Sequence, residues 1–418
     1  MQSLHFIQID INGEKQQFEW RSENGSKLPE KIIYIDDTFS ADQAYKLASS
    51  GCSLLWRGDF QNARQLLQAM SRRFEKNRAH KLLKSKKLLS SKPVKTRAVG
   101  ENSSPKTVLN PNPTALAEIK NEYQEFRISQ KVKAEILGRL LISVQSNHLI
   151  DLKRAPNVLS ACGQAYGADA APYIISLREL LGVISAYEWR KKGVYIDMTE
   201  RGIKPFKIHP HFGVFSPIRG EYLGLLAEAP LPQALAQDSI AFDIGTGTGV
   251  LSILLAKRGV RQIIATDQSK RAVICAESNV ADLGLKKNIL VSHADLFPDG
   301  KKASLIVCNP PWLPAATSAS VDSAVFDPNS QMLLGFLQGL PSHLLPGAQG
   351  WLIMSNFAEL LGLREEGELL GWIAKAGLVV IDRQDVRPLH RKTSDSFDPF
   401  YAARSRELTT LWRLGLQD

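Results

Sequence analysis

From about Lys207 onward, short apolar runs alternate with amphipathic stretches, and nothing else in this chain of 418 residues restricts its fold as much. The runs are IAFDI, QIIATD, ILVSHAD, LIVCN, WLIMS, LVVIDRQDV and LTTLWRL, with helices predicted over 249–258, 269–283, 329–345 and 357–376. Runs that are apolar on both faces belong inside a mostly parallel sheet with helices on each side. The last two runs lie close together in sequence, so they are expected to form a terminal hairpin in a mixed sheet. The fold class is therefore α/β.

The first half reads differently. LPEKIIYIDDTFSADQAYKLAS predicts a short strand and then a helix capped near Thr38 or Ser40. In SLLWRGDFQNARQLLQAMSRRF, Phe60, Ala63, Leu66, Leu67 and Met70 recur at helical spacing. Residues 90–114, rich in Ser, Pro, Lys and Asn, read as a linker. A helical pattern runs from Ala115 to about Val144, and further helices are expected near 157–166 and 172–190. Three sections follow: 1–107 with a basic segment and linker, a small helical domain over 108–205, and the α/β domain over 206–418. The N-terminal region is expected to be mainly helical.

Charge is concentrated. The formal net charge is +10, and residues 72–97 alone hold eleven Lys/Arg against one acid, Glu75. Outside that segment, bases and acids are equal in number. Such a run binds polyanions through counterion release, so RNA, or a ribonucleoprotein, is the expected partner of residues 72–97; a solvated linker is the alternative. No aromatic interleaves the lysines, so the segment is expected to contact phosphates rather than bases. The four cysteines, Cys52, Cys162, Cys275 and Cys308, have neither metal nor redox spacing. They read as reduced thiols of a cytoplasmic protein. No membrane span and no signal core are apparent, and no metal site is expected. His209-Pro210-His211 has no third ligand beside it and reads as a structural loop.

The first strand runs into DIGTGTGVLSILLAKRG. Gly245, Thr246, Gly247 and Gly249 form the turn into the helix, where glycine permits close approach of a ligand. The spacing is G-x-G-x-G rather than that of the dinucleotide fingerprint. On this motif alone a plain strand–helix turn or a dinucleotide site stays open. Asp243 just before it suits a ligand with a cationic amino group. Asp267 ends the second strand, where an acid suits two ribose hydroxyls. Asp295 follows the third strand and suits an exocyclic amine of adenine. Together these acids fit an adenosine that carries an amino acid, such as S-adenosyl-L-methionine.

The fourth strand, LIVC, ends in Asn309, Pro310, Pro311 and Trp312. An exocyclic or amide amine is a poor nucleophile because its lone pair is delocalised. The Asn309 side-chain carbonyl and the Pro310 main-chain carbonyl supply two acceptors for its protons. They would turn its lone pair toward a methyl donor and stabilise developing positive charge. The two prolines stiffen the second carbonyl, and Trp312 offers a flat face. The competing reading is that the prolines only end a strand and Trp312 is core. Asn309 also stands beside the cofactor residues.

Residues 206–418, with DIGTGTGVLSILLA and LIVCNPPW, resemble class I S-adenosylmethionine-dependent methyltransferases. The likeness is to the group whose fourth strand ends in (Asn/Asp)-Pro-Pro-aromatic. That group includes adenine-N6 DNA, ribosomal RNA guanine-N2 and release-factor glutamine methyltransferases. The resemblance implies a Rossmann-like sheet of seven strands, S-adenosyl-L-methionine as cofactor and Asn309–Trp312 as catalytic residues. HFGVFSPIRGEYLGLLAE resembles the segment that closes over the cofactor, but Ile218 stands between Pro217 and Arg219, and Gly220 where a proline is usual. By the family's geometry HRKTSDSFDPFYAARSRE lies near the substrate side, where it either shapes the pocket or is a long polar hairpin. Three functions follow: methylation of a nucleic-acid base in RNA, methylation of a protein glutamine, or a scaffold that binds the cofactor without turnover.

Overall fold

The structure is a computed structural model that describes residues 5–11, 14–90, 113–168, 170–217, 220–235, 239–316, 324–389, 395–396 and 398–417. The chain divides into two compact units, Met1–Ser185 and Ala186–Asp418.

The first unit holds β1 (Phe6–Ile11), β2 (Glu14–Arg21), β3 (Ile32–Ile35), α1 (Ala41–Ser49), β4 (Ser53–Trp56), α2 (Phe60–Ser90), α3 (Pro113–Gly138), β5 (Leu140–Val144), α4 (Leu159–Tyr166) and β6 (Tyr173–Ser176), and α5 (Leu177–Lys192) begins in it. Its strands form one mixed sheet in the order β1-β2-β6-β5-β4-β3. The region was expected to be mainly helical, and the sheet is an addition to its helices. Helices supply more of its residues than strands do, but they accompany a six-stranded sheet. The helical patterns over 115–144 and 172–190 take in LLISV and YIIS, yet each of these is a strand of four or five residues whose side chains are almost all buried. Periodicity cannot separate such a run from buried helix. Because β4 pairs with β5, Leu54 opposite Leu140, the sections expected as 1–107 and 108–205 share one sheet. Of the linker expected over 90–114, residues 91–112 lie outside the described residues, among them Lys92, Lys95 and Arg97 of the basic segment, while Ser90 ends α2 and Pro113 begins α3.

Local chemistry explains the elements that were anticipated. Ser40 caps α1 by accepting from the Gln43 amide, and the Gln43 side chain returns to the Ser40 amide. Phe60, Ala63, Leu66, Leu67, Met70 and Phe74 of α2 are buried at helical spacing.

The second unit adds β7 (Val194–Met198), β8 (Ile203–Ile208), α6 (Glu221–Glu228), β9 (Ile240–Ile244), α7 (Val250–Lys257), β10 (Gln262–Asp267), α8 (Lys270–Asp282), β11 (Ile289–His293), β12 (Ala303–Cys308), α9 (Gln331–His343), β13 (Leu344–Ser355), α10 (Phe357–Leu360), α11 (Glu368–Lys375), β14 (Leu378–Val386), α12 (Tyr401–Arg404) and β15 (Thr409–Leu416). Seven strands form the expected Rossmann-like sheet in the order β11-β10-β9-β12-β13-β15-β14. β9 to β13 are parallel, and β15 runs antiparallel between β13 and β14. The helix expected over 357–376 is two helices, because the chain turns through Gly362 (φ 66°) and Gly367 (φ 83°) between them.

Successive side chains point to opposite faces of the sheet. Ala241, Ile263, Ala265, Leu305 and Val307 pack with α6 and α7 residues such as Leu226 and Leu254. Phe242, Ile264, Ile306 and Cys308 pack against Leu333, Phe336 and Ile373 of α9 and α11. Truncating a fully buried ring such as Phe242 to alanine costs about 3–5 kcal/mol. On β9 this alternation puts Asp243 on the α7 side.

Candidate functional site

The strand order reverses between β9 and β12. From β9 the chain moves outward to β10 and β11, then returns to place β12 on the other side of β9. Ligands of open α/β sheets bind at the carboxyl ends of strands beside such a reversal. Cys308 pairs with Ile244, so the glycine turn and Asn309 leave adjacent strands at the same level.

Asp243 organises the turn. It is fully buried, and its Oδ2 accepts from Thr246 Oγ1 (2.6 Å), the Ser252 amide (3.0 Å) and Ser252 Oγ (2.6 Å). Its Oδ1 has no hydrogen-bond partner among the described residues. Burial pushes the Asp243 carboxyl above its ordinary value, while the bonds from Ser252 and Thr246 pull the other way. The amides of Gly245 and Thr246 both donate to the Thr266 carbonyl at 2.9 Å, which ties the turn to β10. Thr246 is therefore committed within the turn by both its hydroxyl and its amide.

Two of the glycines combine a positive φ with a close neighbour. Gly245 has φ 70°, and a Cβ there would lie 2.4 Å from Met332 Cε; Gly249 has φ 80°, and a Cβ would stand 3.3 Å from that of Ala276. At Gly247, φ 56°, an added Cβ would meet nothing within 4 Å, so this glycine faces open space.

Asp267 reaches across to the turn. Its Oδ2 accepts from the Gly247 amide (3.0 Å) and its Oδ1 from the Ser269 amide (2.8 Å). Each oxygen keeps a further lone pair. Burial raises the Asp267 carboxyl, and the two amides lower it. Asp295 is exposed, two residues beyond β11.

At the end of β12, Trp312 Nε1 donates to Asn309 Oδ1 at 3.0 Å. The Trp312 ring is half-buried and packs against the hydrophobic clusters on both faces of the sheet. Behind it, the buried Arg364 donates to the Trp312 carbonyl (3.4 Å) and to Glu359 (3.3 Å). Pro310 is buried and Pro311 half-buried. Ser355 Oγ, at the end of β13, donates to Glu407 (2.9 Å), and Asn356 Oδ1 accepts from the Leu408 amide (2.8 Å). The downstream end of the polar stretch before β15 is thus fastened to the end of the strand beside β12. His390, Arg391 and Phe397 of that stretch, and Ile218 and Arg219 of the upstream segment, lie outside the described residues.

Asn279 of α8 was not singled out from the sequence. It is buried, its Nδ2 donates to the Thr248 carbonyl in the glycine turn (2.9 Å), and its Oδ1 accepts from the His209 amide (2.8 Å). His209 Nδ1 lies 2.7 Å from the Arg190 carbonyl, the His211 amide donates to Cys275 Sγ at 3.4 Å, and burial lowers the His211 imidazole to about 4. Among the described residues, no group of three His, Cys, Asp or Glu is placed to hold a metal ion.

The residues fit S-adenosyl-L-methionine. A turn open at Gly247 admits a ligand against the backbone, Asp267 offers further acceptors beside that turn, and Asp243 Oδ1 is a buried acceptor still to be satisfied.

Residues 206–334 match the family model of the methyltransferase small domain. The release factor glutamine methyltransferase of Cereibacter sphaeroides is 31% identical over 173 residues, which is 38% of this chain and 58% of that protein. A protein assigned as an N5-glutamine methyltransferase in Methanocaldococcus jannaschii is 32% identical over 162 residues, 37% of this chain and 77% of its own length. The tRNA1(Val) (adenine(37)-N6)-methyltransferase of Vibrio parahaemolyticus is 28% identical over 186 residues, 41% of this chain and 71% of that enzyme. The chain thus spans little more than half of the first of these relatives and about three quarters of the others. Its place is among the class I methyltransferases of the small-domain family, whose methyl donor is S-adenosylmethionine.

Proposed function

We propose that this protein is an N-methyltransferase acting on an exocyclic amino group of a base in RNA. The observation that carries the reading is the pairing of Ile244 with Cys308, which sets the open glycine turn and the Asn309 amide on adjacent strand ends. When bound, the cofactor supplies an electrophilic sulfonium methyl. Asn309 Oδ1, with one lone pair taken by Trp312, offers the other to the acceptor nitrogen. The Pro310 carbonyl takes the second N–H. Held in this way, the nitrogen lone pair would face the methyl, and these two acceptors would stabilise positive charge on the nitrogen as the N–C bond forms and the S–CH3 bond breaks, its electron pair staying on sulfur as a neutral thioether. One proton then passes to solvent. Positioning supplies most of the acceleration in such an in-line displacement. Asp267 holds the ribose, Asp295 the adenine amine, and Gly245, Thr246, Gly247 and Gly249 the close approach of the ligand.

RNA is favoured by α2. Past Phe74 it continues from Glu75 to Ser90, about 24 Å of helix. Arg72 and Lys76 are exposed on it, Arg73 pairs with Asp42, and Arg78 stacks over Phe126. The full segment 72–97 would contact phosphates without reading sequence. A glutamine side-chain amide is the second reading, favoured by the identity to proteins named for that activity. The four buried, unpaired thiols support a reducing, cytoplasmic location. No helix among the described residues is long and apolar enough to cross a membrane.

The test uses the purified chain, methyl-labelled S-adenosylmethionine and an extract of cells that lack the gene. Label removed by ribonuclease is the expected result. Label removed by protease moves the acceptor to a protein amide. Absence of label from every macromolecule overturns both.

A further inference from the structure

The second unit opens with a stretch that exposes aromatic rings among cations. Trp189 is 39% exposed, Tyr195 62% and Phe215 37%. Lys192 Nζ stands 5.5 Å from the centre of the Trp189 ring, and Lys191 Nζ lies 5.5 Å from that of Tyr187. Tyr195 pairs directly with Lys207 across β7 and β8, and both are exposed. Residues 186–217 hold six Lys/Arg and three Asp/Glu. Of those acids, Glu188 is paired with Lys191 at 3.6 Å and Asp197 accepts from the Thr199 amide and hydroxyl.

Isolated exposed aromatics are ordinary. Several on one short stretch, with ammonium groups at ring faces, combine what a single strand of nucleic acid engages. Its bases stack on π faces and its phosphates meet cations. The rings are also anchored to the methyl-transfer site. Trp189 Nε1 donates to Ser216 Oγ (3.2 Å), and the Gly193 amide, at the foot of β7, donates to the Trp189 carbonyl (2.9 Å). Through the next residue, Arg190, three hydrogen bonds lead inward: Arg190 carbonyl to His209, His209 amide to Asn279, and Asn279 to the Thr248 carbonyl of the glycine turn.

We propose that Trp189, Tyr195 and Phe215, with Lys191, Lys192 and Lys207, form a stacking platform for a single-stranded stretch of the RNA acceptor. The proposal rests on the reading of the acceptor as RNA. It assigns base contact to this surface and leaves phosphate contact to the run on α2, whose sequence places no Phe, Tyr or Trp among its lysines.

The experiment compares binding, by fluorescence anisotropy with the full chain, of a labelled oligouridylate and of an abasic strand of equal length. Both carry the same phosphates, so attraction to α2 cancels. The wild type is expected to prefer the strand with bases by about tenfold or more, the scale of base–aromatic stacking. Trp189→Ala and Tyr195→Ala are expected to reduce that preference, and together to abolish it. Trp189→Phe keeps it although the bond to Ser216 is lost, which separates stacking from local structure. Lys192→Ala lowers the salt slope by about one. Calorimetric affinity for S-adenosylmethionine, unchanged throughout, shows that each variant is folded. Equal binding of the two strands by the wild type, or an intact preference in the double alanine variant, overturns the platform even if RNA takes the methyl label. A stacking preference combined with protease-sensitive label overturns the acceptor reading, and with it the claim that this surface holds the acceptor.

Discussion

The indole nitrogen of Trp312 donates to the amide oxygen of Asn309 across 3.0 Å, so the aromatic at the end of the motif orients the amide that begins it. Trp312→Phe keeps the ring and removes this one bond. A neutral hydrogen bond contributes about 0.5–1.5 kcal/mol, so kcat is expected to fall about three- to tenfold with KM for S-adenosylmethionine unchanged. Steady-state kinetics with both substrates varied check this. Adding Trp312→Phe to Asn309→Ala should cost almost nothing more, because the two residues act as one unit.

Asn309→Ala removes a preorganised acceptor from the reacting nitrogen. Turnover is expected to drop by a factor of about a hundred or more while cofactor affinity is retained. Single-turnover rates and calorimetry on the same preparation separate the two quantities. Wild-type turnover in this variant would end the role given to the motif.

Asp267→Ala deletes both acceptors at the end of β10. Hydrogen bonds to a charged group contribute about 1.5–3 kcal/mol, which is about ten- to a hundredfold in the dissociation constant of S-adenosylmethionine. Calorimetry measures it directly, and an unchanged constant would remove Asp267 from the ribose.

Glu179, in the first turn of α5, accepts from the Glu23 amide at 2.8 Å, and burial lifts its carboxyl from an ordinary 4.5 to about 7. The folded state therefore holds the proton over a range in which the unfolded chain has released it. Stability contributed by this group is fully present below about pH 4.5 and declines as pH rises to about 7, by roughly 3 kcal/mol at most. Urea midpoints at pH 5 and pH 8 should show this slope in the wild type and a flatter one in Glu179→Gln.

What was legible in the sequence follows from how locally each feature is determined. IAFDI, QIIATD and LVVIDRQDV match their strands residue for residue, since each apolar run is bounded by turn residues or acids. The reversal that brings Asn309 beside the glycine turn is a matter of strand order, which no single run of residues discloses. Asn279 left no trace either. A helical asparagine is unremarkable until α8 is laid between the glycine turn and His209, because its bonds to Thr248 and to the His209 amide are tertiary. Trp312 was legible as an aromatic, but not as a donor to its own motif. In the first unit, LLISV and YIIS directly adjoin helices, with one residue or none between, and their strand character comes from partners such as Leu54 and Trp20, far away in sequence.

The antiparallel entry of β15 between β13 and β14 bears on the order in which the catalytic sheet can be completed. The strands that hold the glycine turn and Asn309 are synthesised before it, in the order β9, β10, β11 and β12. Until Thr409–Leu416 leaves the ribosome, β13 has an open edge and β14 has no strand beside it. Both are exposed pairing surfaces during that interval. On the nascent chain, a cofactor bound early between β9 and β12 would rest on a half-built sheet, and the last strand to be made is the one that joins its outer edge to the rest.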